Sequence, residues 1–186
     1  FVAMGECYEA LGEDEKAYQY YVKATDLIPQ LGDAWIGRAI VSESFFQFDT
    51  AIVEAQTAIE VAPGVAHYHQ TLGLLYEHVD RTEECLMHLS QAYLLDPNDE
   101  DIAKDFTRLT ATYAPESYLD FLEDHEDLQK YFFAKAAQFY AYWALRRNFE
   151  AQSLLHELLI LDENAIDVIY FLFPDVLEND DLTKYL

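Results

Sequence analysis

Three of the five prolines in this 186-residue chain are spaced 34 residues apart, and that spacing limits the folds open to the chain. Pro29, Pro63 and Pro97 each follow an apolar run with helical periodicity. Because proline cannot continue a helix, each of these prolines ends a helix at the same point of a repeating unit. The period therefore predicts a chain built from similar helical units.

Small residues follow the same period. Nine of them fall in three columns when the chain is laid out on 34 residues, namely Gly5, Ala39 and Gly73, then Ala17, Ala51 and Cys85, then Ala24, Ala58 and Ala92. Bulky residues occupy many of the positions between, such as Tyr8 and Tyr76 in one column. Antiparallel helices pack closely where small side chains let the backbones approach and large ones fill the adjoining space. The columns therefore predict pairs of antiparallel helices.

Each of the first three units divides into two predicted helices. They are expected at residues 1–11 and 14–28, 32–45 and 49–61, and 66–79 and 83–95. Thr82 is the predicted N-cap of the last of these, with Glu83 and Glu84 favourably placed at its positive end. Helices of the less regular second half are expected at 100–113, 115–122, 128–145 and 149–161. The acidic stretch "EDHED" at 123–127 is predicted to be a loop.

Two stretches carry a resemblance to a known family, whose pattern is W-x2-L-G-x2-Y, then A-x3-F, then a closing proline. "LGLLY" at 72–76 matches the first part of this pattern, and "AYQYYVKA" at 17–24 matches the second. On these residues the chain resembles the tetratricopeptide repeats. The resemblance is strong over residues 1–99 and weaker to about residue 165, where the turn "RRNF" at 146–149 does not fit the usual length.

The second unit departs from the family pattern at two positions. It has Ser42 and Ala55 where Tyr and Phe are usual. Three aromatic residues lie nearby in the turn between the two helices, at Phe45, Phe46 and Phe48. We expect their rings to fill the volume that the two smaller side chains leave.

The resemblance implies an all-α fold, a right-handed tetratricopeptide-repeat solenoid of antiparallel helix hairpins with a C-terminal helical cap. Three regular units are expected at 1–31, 32–65 and 66–99, and two degenerate ones at 100–131 and 132–165. The tail at 166–186 is predicted to close the end of the array, because a solenoid needs such a cap. It combines an apolar helix, Pro174 and a last turn that begins at Asp180, and in this it is similar to the ends of some bacterial tetratricopeptide-repeat proteins.

The balance of charge argues against two classes of partner. The chain has 35 Asp and Glu against 11 Lys and Arg, a formal net charge of −24. Nucleic-acid backbones and anionic membranes are repelled by such a field, so neither is expected as a partner. The chain also lacks a run of about 18 apolar residues that would predict a membrane span.

A few residues predict the compartment of the protein and the extent of the chain. Cys7 and Cys85 show neither metal-binding spacing nor a disulfide framework, which indicates a reducing compartment, and we expect the cytoplasm. The chain begins at Phe1 without an initiator methionine, so we expect a fragment that starts inside a structural element.

No residue pattern predicts catalysis, a metal site or a cofactor. The histidines at His67, His69, His78 and His88 are interpreted as surface and packing residues, because the first two point in different directions on a helix. "DPNDED" at 96–101 lacks the glycine that a calcium loop requires at its sixth position. No nucleophile motif is present, and the six glycines are too scattered to cradle a phosphate. The chain is therefore predicted not to be an enzyme and to need no cofactor.

The family resemblance also implies a binding groove, which the first helix of each unit lines with one stripe of side chains. Carried over by position, this stripe consists of Ile36, Ile40, Glu43, Gln70, Leu74, Glu77, Lys104, Arg108 and Ala111. The alternative is that the stripe is solvated surface. Lys104 and Arg108 form a basic pair four residues apart, which either pairs with neighbouring carboxylates or anchors an acidic group of a ligand.

The function that the resemblance implies is that of a scaffold or adaptor, which binds a peptide or helix of a partner protein in this groove. Some members of the family hold the carboxylate end of chaperone tails with Lys, Asn and Arg side chains. The matching positions here hold residues such as Ile36, Ile40 and Gln70, so recognition of chaperone tails is not expected.

Two other functions stay open. The repeats form a structural module of a larger protein whose activity lies in a region before Phe1, or they form a self-association module and the protein is a homo-oligomer. In the second case exposed aromatic residues such as Tyr140, Tyr142 and Trp143 would meet a second copy.

Overall fold

The computed structural model describes residues 1–179, and the predicted last turn at Asp180 lies outside the described residues. Every regular element between residues 1 and 179 is a helix, which confirms the predicted all-α class. The chain divides into two compact units, Phe1–Asp96 and Pro97–Leu186.

The first unit consists of three consecutive helical hairpins. They are α1 (Val2–Ala10) with α2 (Asp14–Leu27), α3 (Gly32–Ser44) with α4 (Phe48–Val61), and α5 (Ala66–His78) with α6 (Thr82–Leu95). Each hairpin packs against the next, through α2 on α3 and α4 on α5. The predicted helices agree with the observed ones to within one residue at every end, because proline punctuation and apolar periodicity both act locally.

Small residues let these helices approach one another, as predicted. All nine members of the three columns are buried. The ring of Tyr21 on α2 lies where side chains at two glycines would extend, its Cε1 atom being 2.5 Å from an ideal Cβ at Gly5 and 2.4 Å from one at Gly37. Leu89 fills the corresponding space at Gly73, where its Cγ atom lies 2.9 Å from an ideal Cβ. Large side chains of the second helices therefore pack directly on the backbone of the first helices.

The second unit is less regular. It contains α7 (Glu100–Tyr113), α8 (Pro115–Asp124), a 3-10 helix (Glu126–Lys130), α9 (Phe132–Ala144), α10 (Asn148–Leu161), α11 (Ala165–Leu172) and α12 (Pro174–Asn179). Among the described residues of this unit, only α9 and α10 form a hairpin like those of the first unit, and α11 packs against both of them. In contrast, Ala114 is at once the C-cap of α7 and the N-cap of α8, so these two helices meet without an intervening turn. Ala151, Leu155 and Leu158 are buried on α10, which confirms its predicted packing face.

The four hairpins share one type of turn. In this Schellman motif the residue after the C-cap takes a positive φ, and the next N–H group bonds back to a carbonyl five residues earlier. The positive-φ residues are Gly12 (71°), Phe46 (59°), Asp80 (57°) and Arg146 (60°). The returning bonds, 2.8–2.9 Å long, are donated by Glu13, Gln47, Arg81 and Arg147. The turn at 146–149 therefore has the same geometry as the others, and the prediction that its length is unusual was wrong.

Two predicted elements of the second unit were also wrong. The helix expected at 128–145 is interrupted, because Tyr131 is extended (φ −79°, ψ 140°) and α9 begins only at Phe132. "EDHED" is not a loop, since α8 continues to Asp124 and the 3-10 helix begins at Glu126. A 3-10 helix has three residues per turn and an α-helix has 3.6, and over five residues both periods place an apolar residue such as Leu128 on the same side. The periodicity of the sequence therefore does not distinguish a short 3-10 helix from the first turn of an α-helix.

The capping prediction at Thr82 was wrong as well. Thr82 is the first residue of α6, and Arg81 occupies the N-cap without a side-chain capping bond. Asp99 does cap a helix, since its carboxylate accepts the N–H groups of Asp101 and Ile102, both at 3.0 Å. The Schellman turn of the α5–α6 hairpin uses Asp80 and Arg81, and this leaves Thr82 inside the helix.

Candidate functional site

The predicted groove residues lie in both units, six of them in the first and three in the second. In the first unit five of the six are partly exposed on α3 and α5, namely Ile40, Glu43, Gln70, Leu74 and Glu77. The sixth, Ile36, is only 2% exposed and belongs to the packing between helices. Because α3 contacts α5 directly, the two stripes are neighbours, and His78 Nε2 on α5 lies 2.9 Å from Glu43 Oε1 on α3.

The stripe also extends onto α1, a part that the sequence analysis did not include. The 34-residue period places Val2, Glu6 and Glu9 at the positions that Ile36, Ile40 and Glu43 hold one unit later, so the signal was present. Helix α1 lies against α3. We use the term first-unit groove for these nine positions of α1, α3 and α5.

The charge of the first-unit groove has one sign. Its nine positions hold four carboxylates and neither lysine nor arginine, the carboxylates being Glu6, Glu9, Glu43 and Glu77. The whole first unit has 16 acidic residues against 4 basic ones. The half-buried Ile40 and Leu74 therefore form an apolar centre in acidic surroundings, which is the complement of a ligand with apolar and basic side chains.

The three predicted groove residues of the second unit lie on α7. Lys104 pairs with Glu100, with Nζ 2.8 Å from Oε1, and this bond raises the pKa of the lysine. Arg108 lies 3.9 Å from Asp105 Oδ1. Pairing with neighbouring carboxylates, the simpler of the two interpretations, is thus what the structure shows for this basic pair. Ala111 is fully buried and offers no surface to a ligand.

A buried ionic network joins three helices of the first unit. Glu54 on α4 is 3% exposed, and its carboxylate accepts hydrogen bonds from Arg38 Nε at 2.9 Å, from Ser42 Oγ at 2.7 Å and from the hydroxyl of Tyr18 at 2.9 Å. The guanidinium of Arg38 also lies 4.4 Å from the centre of the Trp35 ring. This network was not predicted from the sequence, although Ser42, a departure from the family pattern, lies within it.

The network also explains why the aromatic rings of the α3–α4 turn do not fill the volume beside Ser42 and Ala55, so that this expectation was wrong. Phe46 is 80% exposed and Phe45 is 36% exposed, so neither ring enters the space beside Ser42. The ring of Phe48 stacks instead on His78 of α5, with the ring centroids 5.3 Å apart. A carboxylate and a guanidinium, instead of aromatic rings, therefore occupy the interior between α3 and α4.

Two histidines form a second polar contact, between α5 and α6. His69 is 8% exposed, and its Nδ1 lies 3.1 Å from Nδ1 of His88, while its Nε2 lies 3.1 Å from the carbonyl oxygen of Pro63. Since a carbonyl oxygen only accepts, Nε2 of His69 carries the proton and its Nδ1 accepts the Nδ1–H of His88. Burial, and then the proximity of His69, lower the pKa of His88, and Glu84 acts in the opposite direction.

We expect the histidine pair to make the stability of the first unit depend on pH. Because the pKa of His88 is lower in the folded chain than its unperturbed value of about 6.5, the unfolded chain binds the proton first as pH falls. The stabilisation is therefore complete above the unfolded pKa and is lost as pH decreases toward the folded pKa. His88→Gln should remove this dependence in urea unfolding experiments, whereas substitution of the exposed His156 by Gln should not. A constant difference between wild type and His88→Gln across this range would contradict the prediction.

The aromatic residues expected to support self-association are only partly available. Tyr140 is 6% exposed, because its ring stacks on Phe173 with the centroids 4.1 Å apart. Its hydroxyl donates to Asp175 Oδ2 at 2.7 Å, and burial followed by this bond raises the pKa of Tyr140. Tyr142 and Trp143 are half-buried. The expectation that Tyr140 is exposed was therefore wrong, because α11 and α12 cover it.

The described residues hold neither a candidate metal site nor a candidate membrane span. Among residues 1–176, whose side chains the structure describes, no three or more His, Cys, Asp or Glu side chains converge in a way that could hold a metal ion. Within the same residues, no helix has the length and apolar composition needed to cross a membrane.

The helical hairpins define the class of protein. Three solved structures share the fold. YrrB, a TPR protein with an unusual peptide-binding site, has a TM-score of 0.65 and 16% identity over 90% of this chain and 89% of its own. MamA has a TM-score of 0.63 and 15% identity over 89% and 92% of the two chains. The first TPR of Spaghetti (RPAP3), bound to the HSP90 peptide SRMEEVD, has a TM-score of 0.57 and 18% identity over 61% and 90%.

The chain has the tetratricopeptide-repeat fold, which confirms the recognition made from its motifs. By sequence, residues 1–31 match the tetratricopeptide repeat family model. A curated relative, the UDP-N-acetylglucosamine--peptide N-acetylglucosaminyltransferase of Giardia intestinalis (strain ATCC 50803 / WB clone C6), is 29% identical over 83 residues, which cover 41% of this chain. The chain spans only 6% of the length of that relative.

Proposed function

We propose that this chain is a protein-interaction module, and that its first-unit groove binds a peptide or helix with alternating apolar and basic side chains. The observation that carries the proposal is the groove's composition, an apolar centre at Ile40 and Leu74 surrounded by carboxylates. Burial of apolar ligand side chains against this centre supplies affinity, and the carboxylates set orientation and increase the association rate.

The proposed ligand differs in charge from the one seen with a structural neighbour. The Spaghetti (RPAP3) domain is bound to SRMEEVD, whose last residues are acidic. The groove of the present chain has no lysine or arginine at its nine positions and would repel such a peptide. A basic ligand is therefore the better complement.

The test uses peptides selected from a random library against the intact chain. We expect the selected peptides to be enriched in Lys and Arg together with Leu, Ile or Phe. The double substitution Ile40→Glu and Leu74→Glu should weaken their binding by at least about tenfold, measured by fluorescence anisotropy, because a buried apolar contact is lost. Ile36 is left intact, since a charge at a position 2% exposed would disturb the fold.

The matched control places the same charges on the second helices. Val53 on α4 and Met87 on α6 are 60% and 57% exposed, so Val53→Glu with Met87→Glu adds the same charge outside the groove. Attraction that depends only on net charge would make both double variants bind basic peptides more tightly than wild type. Weaker binding by the groove variant alone supports the proposal, and equal or tighter binding by it would refute the groove.

A second candidate is a module that positions the activity of a larger protein. The match to a short part of the much longer Giardia glycosyltransferase favours this candidate. It is tested by the full-length sequence, in which a catalytic domain joined to these repeats is the expected finding.

A further inference from the structure

Three of the four hairpin turns carry their own cation on an aromatic ring. In the α5–α6 turn, the guanidinium of Arg81 lies 4.5 Å from the centre of the Tyr76 ring and pairs with Glu84, with Nε 2.9 Å from Oε1. The α9–α10 turn repeats this arrangement, with Arg147 4.6 Å from Tyr142 and paired with Glu150. In the α1–α2 turn the cation and the carboxylate exchange positions, and Lys16 lies 5.2 Å from Tyr8 and pairs with Glu13. Cation, ring and carboxylate thus recur at the same point of the hairpin.

The α3–α4 turn lacks this internal set. The positions equivalent to Tyr76, Arg81 and Glu84 hold Ser42, Gln47 and Thr50, which supply neither ring nor charge. Instead, the turn presents two aromatic rings and a carboxylate from other positions, Phe46, Phe48 and Asp49.

These groups surround a concavity of about 380 Å³. Its lining consists of Phe46, Gln47, Phe48, Asp49, Thr50 and Val79. The rings of Phe46 and Phe48 stand at 79° to each other with centroids 6.2 Å apart, so they form two walls. Phe48 is held from behind by the ring of His78, which stacks on it at 5.3 Å. The exposed carboxylate of Asp49 makes neither a hydrogen bond nor an ion pair with residues 1–176, the range in which side chains are described.

Phe46 is unfavourable in two ways for the isolated chain. It takes the positive φ that the equivalent turn of the first hairpin gives to Gly12, and a bulky side chain in that region strains the backbone. Its ring is also 80% exposed, so burial within the chain does not offset the strain. Strain that packing does not explain is typical of functional positions.

We propose that this concavity, the Phe46 pocket, binds an arginine side chain of a partner protein. The guanidinium would stack on the face of one ring, direct N–H groups toward the other ring and pair with Asp49. A cation from the partner would thus supply what the other three turns supply from within the chain. Arginine fits better than lysine, because its planar guanidinium stacks on rings while its N–H groups reach a carboxylate. The 16 acidic residues of the first unit, against 4 basic ones, favour such a cation.

The Phe46 pocket is separate from the first-unit groove, and neither proposal depends on the other. The pocket lies in the turn between α3 and α4, and it shares none of the nine groove positions. The groove variants at Ile40 and Leu74 leave every residue lining the pocket unchanged. Failure of one experiment is therefore distinguishable from failure of the other.

The test is an NMR titration of the ¹⁵N-labelled intact chain with N-acetyl-arginine amide. We expect saturable shifts of the backbone signals of residues 46–50 and of Val79. The neutral citrulline analogue, at matched ionic strength, should bind about fivefold more weakly or not at all, because it lacks the cation. Absence of saturable shifts at 46–50, or equal binding of citrulline, would overturn the proposal.

Two variants separate binding from folding. Phe46→Gly should weaken arginine binding about fivefold while raising Tm by about 2–4 °C, because glycine relieves the positive φ. Asp49→Asn should weaken binding while lowering Tm slightly, because this carboxylate also lies in the first turn of α4. The control Phe149→Ala removes a ring that is 82% exposed on α10 and should leave binding at 46–50 unchanged. Full arginine binding by Phe46→Gly would show that the aromatic walls are not a site.

Discussion

Replacement of Arg38 by alanine is expected to lower the free energy of unfolding of the first unit by about 3–5 kcal/mol, since removing one member of a buried ion pair leaves the other uncompensated. The side chains of Arg38 and Glu54 are 18% and 4% exposed, and Nη2 of the arginine lies 2.8 Å from Oε1 of the glutamate. Ser42 and Tyr18 still donate to Glu54 in the variant, but they are neutral and replace only part of the lost interaction.

The measurement is urea unfolding followed by tryptophan fluorescence. A Trp143→Phe background leaves Trp35, which lies on Arg38, as the single reporter and restricts the signal to the first unit. Arg81→Ala is the matched control, because Arg81 also lies on a ring and pairs with a glutamate, but at the surface. Its effect should be much smaller, since exposed ion pairs are screened by water. Equal losses in the two variants would show that burial does not set the size of the effect.

Substitution of Gly37 by alanine is expected to cost about 1–3 kcal/mol, the usual range for an added methyl group in a close-packed interior. The new Cβ would lie 2.4 Å from Cε1 of Tyr21. Movement of the ring is restricted, because it also packs on the backbone at Gly5 and because its hydroxyl donates to Glu9 Oε2 at 2.8 Å. Urea unfolding on the same Trp35 reporter gives the loss.

Two comparisons identify the steric cause. An ideal Cβ at Gly64 meets no heavy atom within 4 Å, so Gly64→Ala should be neutral or slightly stabilising. Tyr21→Leu alone should destabilise by leaving a cavity, and its combination with Gly37→Ala should recover part of that loss. The contact between Tyr21 and position 37 would be unimportant if Gly37→Ala were as harmless as Gly64→Ala. The same would follow if the effects of Gly37→Ala and Tyr21→Leu were additive.

The hairpins of the first unit could be predicted almost completely from the sequence. Proline punctuation and the small-residue columns gave every helix end to within one residue, and the columns proved to be buried. Both signals act within one hairpin, where spacing along a helix translates directly into a face. The second unit was predicted less well because it has no proline at residue 131, and a short 3-10 helix mimics the apolar spacing of an α-helix.

The candidate site was predicted only in part, for a related reason. Helical phase placed Ile40 and Leu74 on a common stripe, but it also placed Ile36 there, which the structure buries. A stripe read from one helix does not show how deeply the neighbouring helices cover each of its positions. The Phe46 pocket depends on a turn whose positive φ is usually marked by glycine, and here the sequence shows phenylalanine instead.

By itself, the sequence determined the repeat period, the helix class and the acidic character of the surface, because these follow from local propensity, spacing and composition. Only the tertiary structure decided which polar groups meet inside. Arg38 and Glu54 are 16 residues apart, and His69 and His88 are 19 apart, each pair joining two different helices. Such contacts depend on the rotation of each helix about its axis, which the packing of neighbouring helices sets.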